Sequence, residues 1–162
     1  MAANRGKIAI IYFVGESKAA GLTYNTAIHA LAGESAEMKV LLLIAHGSRK
    51  QSANDEIRRL ALRVQALCGE EYAAVVAAFL ECAEPGIQQG VDRCVELGAT
   101  EVVAVPYFLA AGKHVAMDIP AELACASAGY PQLKIEMSQY VGDNDAMPEL
   151  VLRCSKQAGG AG

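Results

Sequence analysis

The sequence predicts an α/β fold, a parallel β-sheet flanked by helices. Two observations lead there. From Lys39 onward, short β-branched and apolar runs alternate with longer stretches of helical period, the pattern of strands whose crossovers are helices. The chain of 162 residues is also about one domain's length, enough to bury roughly two thirds of its unfolded surface in a single core.

The first strand is read at residues 40–45, where the apolar run KVLLLIA leads into HGSRK. The following helix, residues 53–68, places Ile57, Leu60, Ala61, Val64, Leu67 and Cys68 on one stripe, and Gly69 stops it. A second strand follows at 72–79. The next helix, 85–97, has Pro85 in its first turn, Ile87, Val91, Cys94 and Val95 on its buried face, and Gly98 at its end. A third strand is expected at 101–106. The helix after His114 carries Val115, Ile119 and Leu123, and Pro120 makes it begin or bend near Asp118. A fourth strand at 133–140 and a last helix at 145–156 complete the unit, ahead of a GGAG tail expected to fray.

The domain organisation expected is therefore an extension at 1–38, the α/β domain at 39–158 and a flexible tail at 159–162. Within the extension, GKIAIIYFVG could be a strand and residues 24–32 a short helix, but no motif there attaches to chemistry. His29 has no histidine or acidic neighbour at ligand spacing and reads as a surface residue. Met38 is an alternative start. Arg5 and Lys7 before an apolar stretch give export as an alternative to a cytoplasmic location, although Gly15, Glu16 and Lys18 cut that stretch short.

Composition excludes several classes. The longest apolar runs fall far below the ~20 residues of a membrane helix. With 53% hydrophobic residues, 20% charged residues, a net charge of −4 and no lysine and arginine run, a nucleic-acid partner is not expected. Cys68, Cys82, Cys94, Cys125 and Cys154 are odd in number and include no CxxC pair, which suits reduced thiols of a cytoplasmic protein. Cys68, Cys94 and Cys125 read as core, and Cys82 as a small buried residue before a soft ligand. No glycine-rich phosphate loop is present.

Ligands of open parallel sheets gather at the carboxyl ends of the strands. Three such ends carry chemistry: His46 in AHGSR, Glu81 and Glu84 in FLECAEP, and His114 with Asp118 in VPYFLAAGKHVAMDIP. Two imidazoles and a carboxylate from three strands suit a divalent metal of nitrogen and oxygen preference, with positions left open for exchange. Each residue also has a structural reading. His46 with Gly47 and Ser48 could form a turn and cap, Glu84 could face a positive helix N-terminus, and His114 could be an ordinary surface residue.

Taken together, LLLIAHGSRK, AAFLECAEPGI and VPYFLAAGKHVAMDIP, in that order and separated by helices, resemble the small sirohydrochlorin chelatases, the CbiX-type members of the class II chelatases. The resemblance spans about residues 39–156 and implies a single-repeat, chelatase-like unit. It implies insertion of Co2+, or of Fe2+ or Ni2+, into sirohydrochlorin on the routes to cobalamin or sirohaem. The metal is the substrate, and no permanently bound cofactor is expected. The family's metal-binding and proton-accepting histidines fall on His46 and His114, and its acidic partner on Glu81. Longer relatives hold two such units across a cleft, so the resemblance implies a homodimer here.

The chemistry of the residues agrees with this. Insertion removes pyrrole N–H protons and exchanges metal ligands, and neutral imidazole serves both tasks. Sirohydrochlorin is a polycarboxylate, yet residues 39–162 carry 11 Lys plus Arg against 15 Asp plus Glu. Local groups must therefore bind it, and Ser48, Arg49, Lys50 and Lys113 are assigned that role, helped by helix N-termini. Two other functions compete. A histidine phosphatase would need arginine where Ala45 stands, and a non-catalytic metal-binding protein would use the same histidines without acting on the macrocycle.

Overall fold

The computed structural model describes residues 37–157. The strand expected in GKIAIIYFVG, the helix at 24–32, His29 and the GGAG tail lie outside them. Four parallel strands form one sheet in the order β2-β1-β3-β4, with β1 at Lys39–Ala45, β2 at Ala74–Phe79, β3 at Glu101–Pro106 and β4 at Lys134–Met137. Between and after them lie α1 (Gln51–Leu67), α2 (Ile87–Glu96), a π-type turn (His114–Asp118) continued by α3 (Ile119–Ala128), and α4 (Met147–Lys156).

Strand periodicity explains the two layers. In β1, Val40, Leu42 and Ile44 are fully buried and share one face with Ala74 and Ala78 of β2 and Val102 and Ala104 of β3, in register across the sheet. Ile87, Val91 and Cys94 of α2, and Ile119, Leu123 and Ala126 of α3, close over that face to make the main core. A buried side chain such as Leu42 contributes about 2 kcal/mol by leaving water. The approach of α2 depends on Gly90: a Cβ there would lie 2.8 Å from Ala78 Cβ and 2.9 Å from Leu42 Cδ1.

The opposite face is built more thinly. There α1 packs on β2, and the Arg58 guanidinium stands 5.1 Å from the centre of the Phe79 ring, a cation held over an aromatic face. Because α1 meets an edge strand, only part of its expected stripe is covered. Ala61 and Asn54 are buried, whereas Leu67 is 85% exposed, which corrects its assignment to the buried stripe. The chain leaves β1 on this face and returns to β3 on the other. β1 therefore sits at the topological switch point, where a crevice opens at the carboxyl ends.

Several boundaries differ from expectation for local reasons. Tyr72 and Ala73 precede β2, since the Ala73 N–H pairs with the Lys39 carbonyl at the foot of β1. β4 is an edge strand whose ladder runs over Glu101–Ala104 of β3, which limits it to four residues. Pro120 stands as expected, since α3 begins at Ile119, directly after Asp118, with the proline in its first turn. α4 starts at Met147 with Pro148 in its first turn, so Asp145 falls outside it. No helix among the described residues is long and apolar enough to cross a membrane.

The thiols divide by location. Cys94 is fully buried, while Cys68 is half-buried and Cys82, Cys125 and Cys154 are exposed. This corrects the core assignments of Cys68 and Cys125 and the buried assignment of Cys82, whose backbone has φ +60° in an exposed connection.

Burial pushes the Cys94 thiol from its ordinary 9.0 up to about 12. A raised folded value means that the stabilisation is complete below the ordinary value and is lost as pH climbs toward the folded one. Between pH 9 and about 12, stability of the wild type should therefore fall more steeply than that of Cys94→Ala, by up to about 1.4 kcal/mol per pH unit. Urea unfolding at a series of alkaline pH values measures this, and parallel slopes would refute it.

Candidate functional site

The crevice at the switch point is shaped by backbone pairing that continues beyond the strand ends. The Leu80 N–H donates to the Ala45 carbonyl at 2.9 Å, and the Glu81 N–H to the His46 carbonyl at 2.9 Å. The ladder between β1 and β2 thus carries His46 and Glu81 out of the sheet side by side. Close contact of the two connections requires Gly47, which has φ +90° and whose added Cβ would collide with the Glu81 carbonyl oxygen.

The side chains meet above this pairing. His46 Nε2 lies 3.3 Å from Glu81 Oε1, and its Nδ1 lies 3.1 Å from the Gly47 carbonyl oxygen. The Gly47 carbonyl and the Glu81 carboxylate both only accept, so each of the two ring nitrogens of His46 faces an acceptor oxygen. A cation between His46 Nε2 and the Glu81 carboxylate, either a proton or a metal, suits both atoms.

His114 reaches the same place from β3. The Tyr107 N–H donates to the Ile44 carbonyl at 2.7 Å, which ties the start of the β3 connection to β1. His114 then opens the π-type turn, a wider turn than an α-helix often found at functional sites. Its ring centre is 4.9 Å from that of His46, edge-on at 82°. Phe108 lies 6.3 Å from His46 and 6.4 Å from His114 and serves as a shared apolar wall. His114 Nδ1 is 2.9 Å from Asp118 Oδ2, and Asp118 Oδ1 is 3.6 Å from Lys113 Nζ.

The structure thus brings together the three residues expected at the site. Their side chains remain partly open to solvent, at 46% for His46, 52% for Glu81 and 41% for His114. A cavity of about 280 Å3 lies among Leu80, Glu81, His114, Asp118, Ala121 and Glu122. Among the described residues no group of three or more His, Cys, Asp or Glu is placed so that it could hold a metal ion. An ion here would rest on an open, incomplete set of ligands.

The residues assigned to substrate binding flank the crevice. Arg49 and Lys50 are exposed beyond His46. Ser48 organises the turn: its hydroxyl accepts the Lys50 N–H at 3.1 Å, its N–H donates to Asn54 Oδ1 at 2.9 Å, and its carbonyl accepts Asn54 Nδ2 at 2.8 Å. Lys113 is exposed with Asp118 as an ion partner. Glu84 leaves the capping of α2 to Gln89, whose Oε1 accepts the Gly86 N–H at 2.8 Å. The Glu84 carbonyl instead accepts from Arg58 at 2.6 Å.

Sequence reasoning missed Phe108, Asn54 and Glu122. Glu122 had a signal, since it follows Asp118 by four residues and so shares its helix face. It also missed an apolar rim of Leu109 and Met117, exposed at 71% and 63%, in the same connection as His114.

Replacement Gly47→Ala would oppose both the positive φ and the Glu81 carbonyl. A destabilisation of about 2 kcal/mol or more is expected, with separation of His46 from Glu81. Urea unfolding measures the first, and an unchanged midpoint would contradict the close approach described.

Comparison with known proteins fits this geometry. The CbiX family pattern matches residues 40–158. The sirohydrochlorin ferrochelatase of Bacillus subtilis (strain 168) is 29% identical over 75% of this chain and 46% of its own length. The sirohydrochlorin cobaltochelatase of Methanosarcina acetivorans is 27% identical over 73% of this chain and 95% of its own. Among solved structures, the sirohydrochlorin chelatase SirB from Bacillus subtilis subspecies spizizenii in complex with cobalt is similar with a TM-score of 0.68, at 30% identity over 75% of this chain and 51% of that one. The chain thus spans about half the length of several of the relatives it matches. With the pattern covering residues 40–158, which include His46, Glu81 and His114, the chain belongs to the CbiX family.

Proposed function

We propose that this protein is a sirohydrochlorin chelatase that inserts Co2+ into the macrocycle. The observation that carries the reading is the convergence of two imidazoles, 4.9 Å apart, and the Glu81 carboxylate, 3.3 Å from His46 Nε2, at an open sheet edge. Relatives named for cobalt and for iron both match this chain, so Fe2+ and Ni2+ are the natural comparison ions.

The geometry supports a simple course of reaction. A divalent ion rests on His46 and His114 with Glu81 beside it, a set of borderline nitrogen donors and one hard oxygen that suits cobalt, iron and nickel. As the ring nitrogens replace these ligands, two pyrrole protons must leave. His46 and His114 accept them at Nε2, and Glu81, half exposed, passes the His46 proton to water. Charge balances, since one dication enters as two protons depart.

Ligand weakness is essential to this course. A fully enclosed site would hold the ion rather than release it, whereas an open ligand set permits exchange. Arg49, Lys50 and Lys113 provide charge for the substrate's carboxylates, with Ser48 shaping the turn that bears the first two. Leu109 and Met117 offer an apolar surface to the face of the ring. A second copy of the chain would supply the opposite wall of the cleft, in keeping with longer relatives of which this chain spans about half.

Mixing protein, sirohydrochlorin and Co2+, anaerobic Fe2+ or Ni2+ while following the visible spectrum tests the proposal. Acceleration should be greatest with Co2+; no acceleration with any ion overturns it, and Co2+ binding without a spectral change of the macrocycle favours a metal carrier. His114→Ala should lower the rate by about 100-fold or more, with His46→Ala impaired less completely. Sedimentation of the active species should give a dimer.

A further inference from the structure

We propose that Asp118 is a positioning residue that fixes the proton of His114 on Nδ1 and so turns Nε2 toward His46 and Glu81 as a ready metal ligand. The inference rests on the metal-handling reading above and adds a residue to it.

Three observations support the role. His114 Nδ1 lies 2.9 Å from Asp118 Oδ2, and an ionised carboxylate can only accept, so the proton belongs to the imidazole nitrogen. The other carboxylate oxygen, Oδ1, faces Lys113 Nζ at 3.6 Å, which restrains the carboxylate from turning. The two residues open and close the π-type turn, and the Ile119 N–H reaches the His114 carbonyl across it. The fully buried Ile119 follows immediately, so the turn that carries the pair is anchored in the core.

The two rings differ in this respect. His46 has an acceptor at each nitrogen, the Gly47 carbonyl 3.1 Å from Nδ1 and Glu81 Oε1 3.3 Å from Nε2, whereas His114 has the Asp118 carboxylate 2.9 Å from Nδ1. A neutral His114 with its proton on Nδ1 then presents Nε2 as a lone-pair donor. A carboxylate behind a ligating imidazole also strengthens it as a base, and loss of such a partner typically weakens metal affinity about 10- to 100-fold.

The test uses the full chain labelled with nitrogen-15, long-range proton–nitrogen correlation spectra of the imidazoles at a pH where the rings are neutral, and titration with Co2+ alone. In the wild type His114 should carry its proton on Nδ1. In Asp118→Ala a substantial share should move to Nε2, with Co2+ affinity lower by about 10- to 100-fold and the His46 pattern unchanged. Asp118→Asn retains a carbonyl oxygen that can accept, so it should keep the Nδ1–H form and lose less affinity. The proposal is overturned by Nε2–H as the main wild-type form, or by unchanged tautomer and affinity in Asp118→Ala. Should that variant fail to fold, the wild-type spectrum and Asp118→Asn decide between the same outcomes. Sirohydrochlorin is absent throughout, so an inactive chelatase with the expected tautomer refutes only the proposed activity, and an active one with Nε2–H refutes only the role of Asp118.

Discussion

The site depends on a ladder that does not stop where its strands do. The paired bonds from Leu80 to Ala45 and from Glu81 to His46 extend the contact of β1 and β2 into the two connections. Parallel strands normally diverge into loops at this point, and the side chains that follow would be free to separate. Here the backbone holds His46 and Glu81 in adjacent positions before either side chain makes a contact. Gly47 permits this by allowing both a positive φ and the close approach of the Glu81 carbonyl. The glycine in HGSR is therefore a requirement of geometry.

The second constraint comes from the other neighbour of β1. Tyr107 bonds to Ile44, so the third connection also leaves the sheet under the control of the central strand. Since β1 is flanked by β2 on one side and β3 on the other, all three candidate side chains refer to the same strand. Its buried residues Val40, Leu42 and Ile44 sit in the main core. Core packing and site alignment are thus parts of one structure, and a shift of β1 would move His46 relative to both partners.

Much of this was legible in the sequence, for identifiable reasons. β1 and β3 follow from apolar, β-branched runs that end at His46 and after Pro106, and α2 follows from apolar spacing over Ile87, Val91 and Cys94. Those patterns reflect burial in the main core, where tertiary contact reinforces local pattern. Leu67 misled because period alone cannot tell whether a sheet lies beneath the end of a helix, and α1 rests on an edge strand. At the site, His46, Glu81 and His114 were readable because each follows a strand. Phe108 was hidden, since its role depends on the distance between two connections, and Asn54 because it braces a loop from inside a helix.

The distribution of charge follows from the same architecture. The chain is acidic overall, and Glu81, Asp118 and Glu122 line the cavity beside His114, whereas Arg49, Lys50 and Lys113 are exposed. In the reaction proposed above, the acidic groups beside the imidazoles would attract a dication, and the exposed cations would oppose the repulsion that a polycarboxylate meets there. Lys113 bridges the two sets by ion pairing with Asp118.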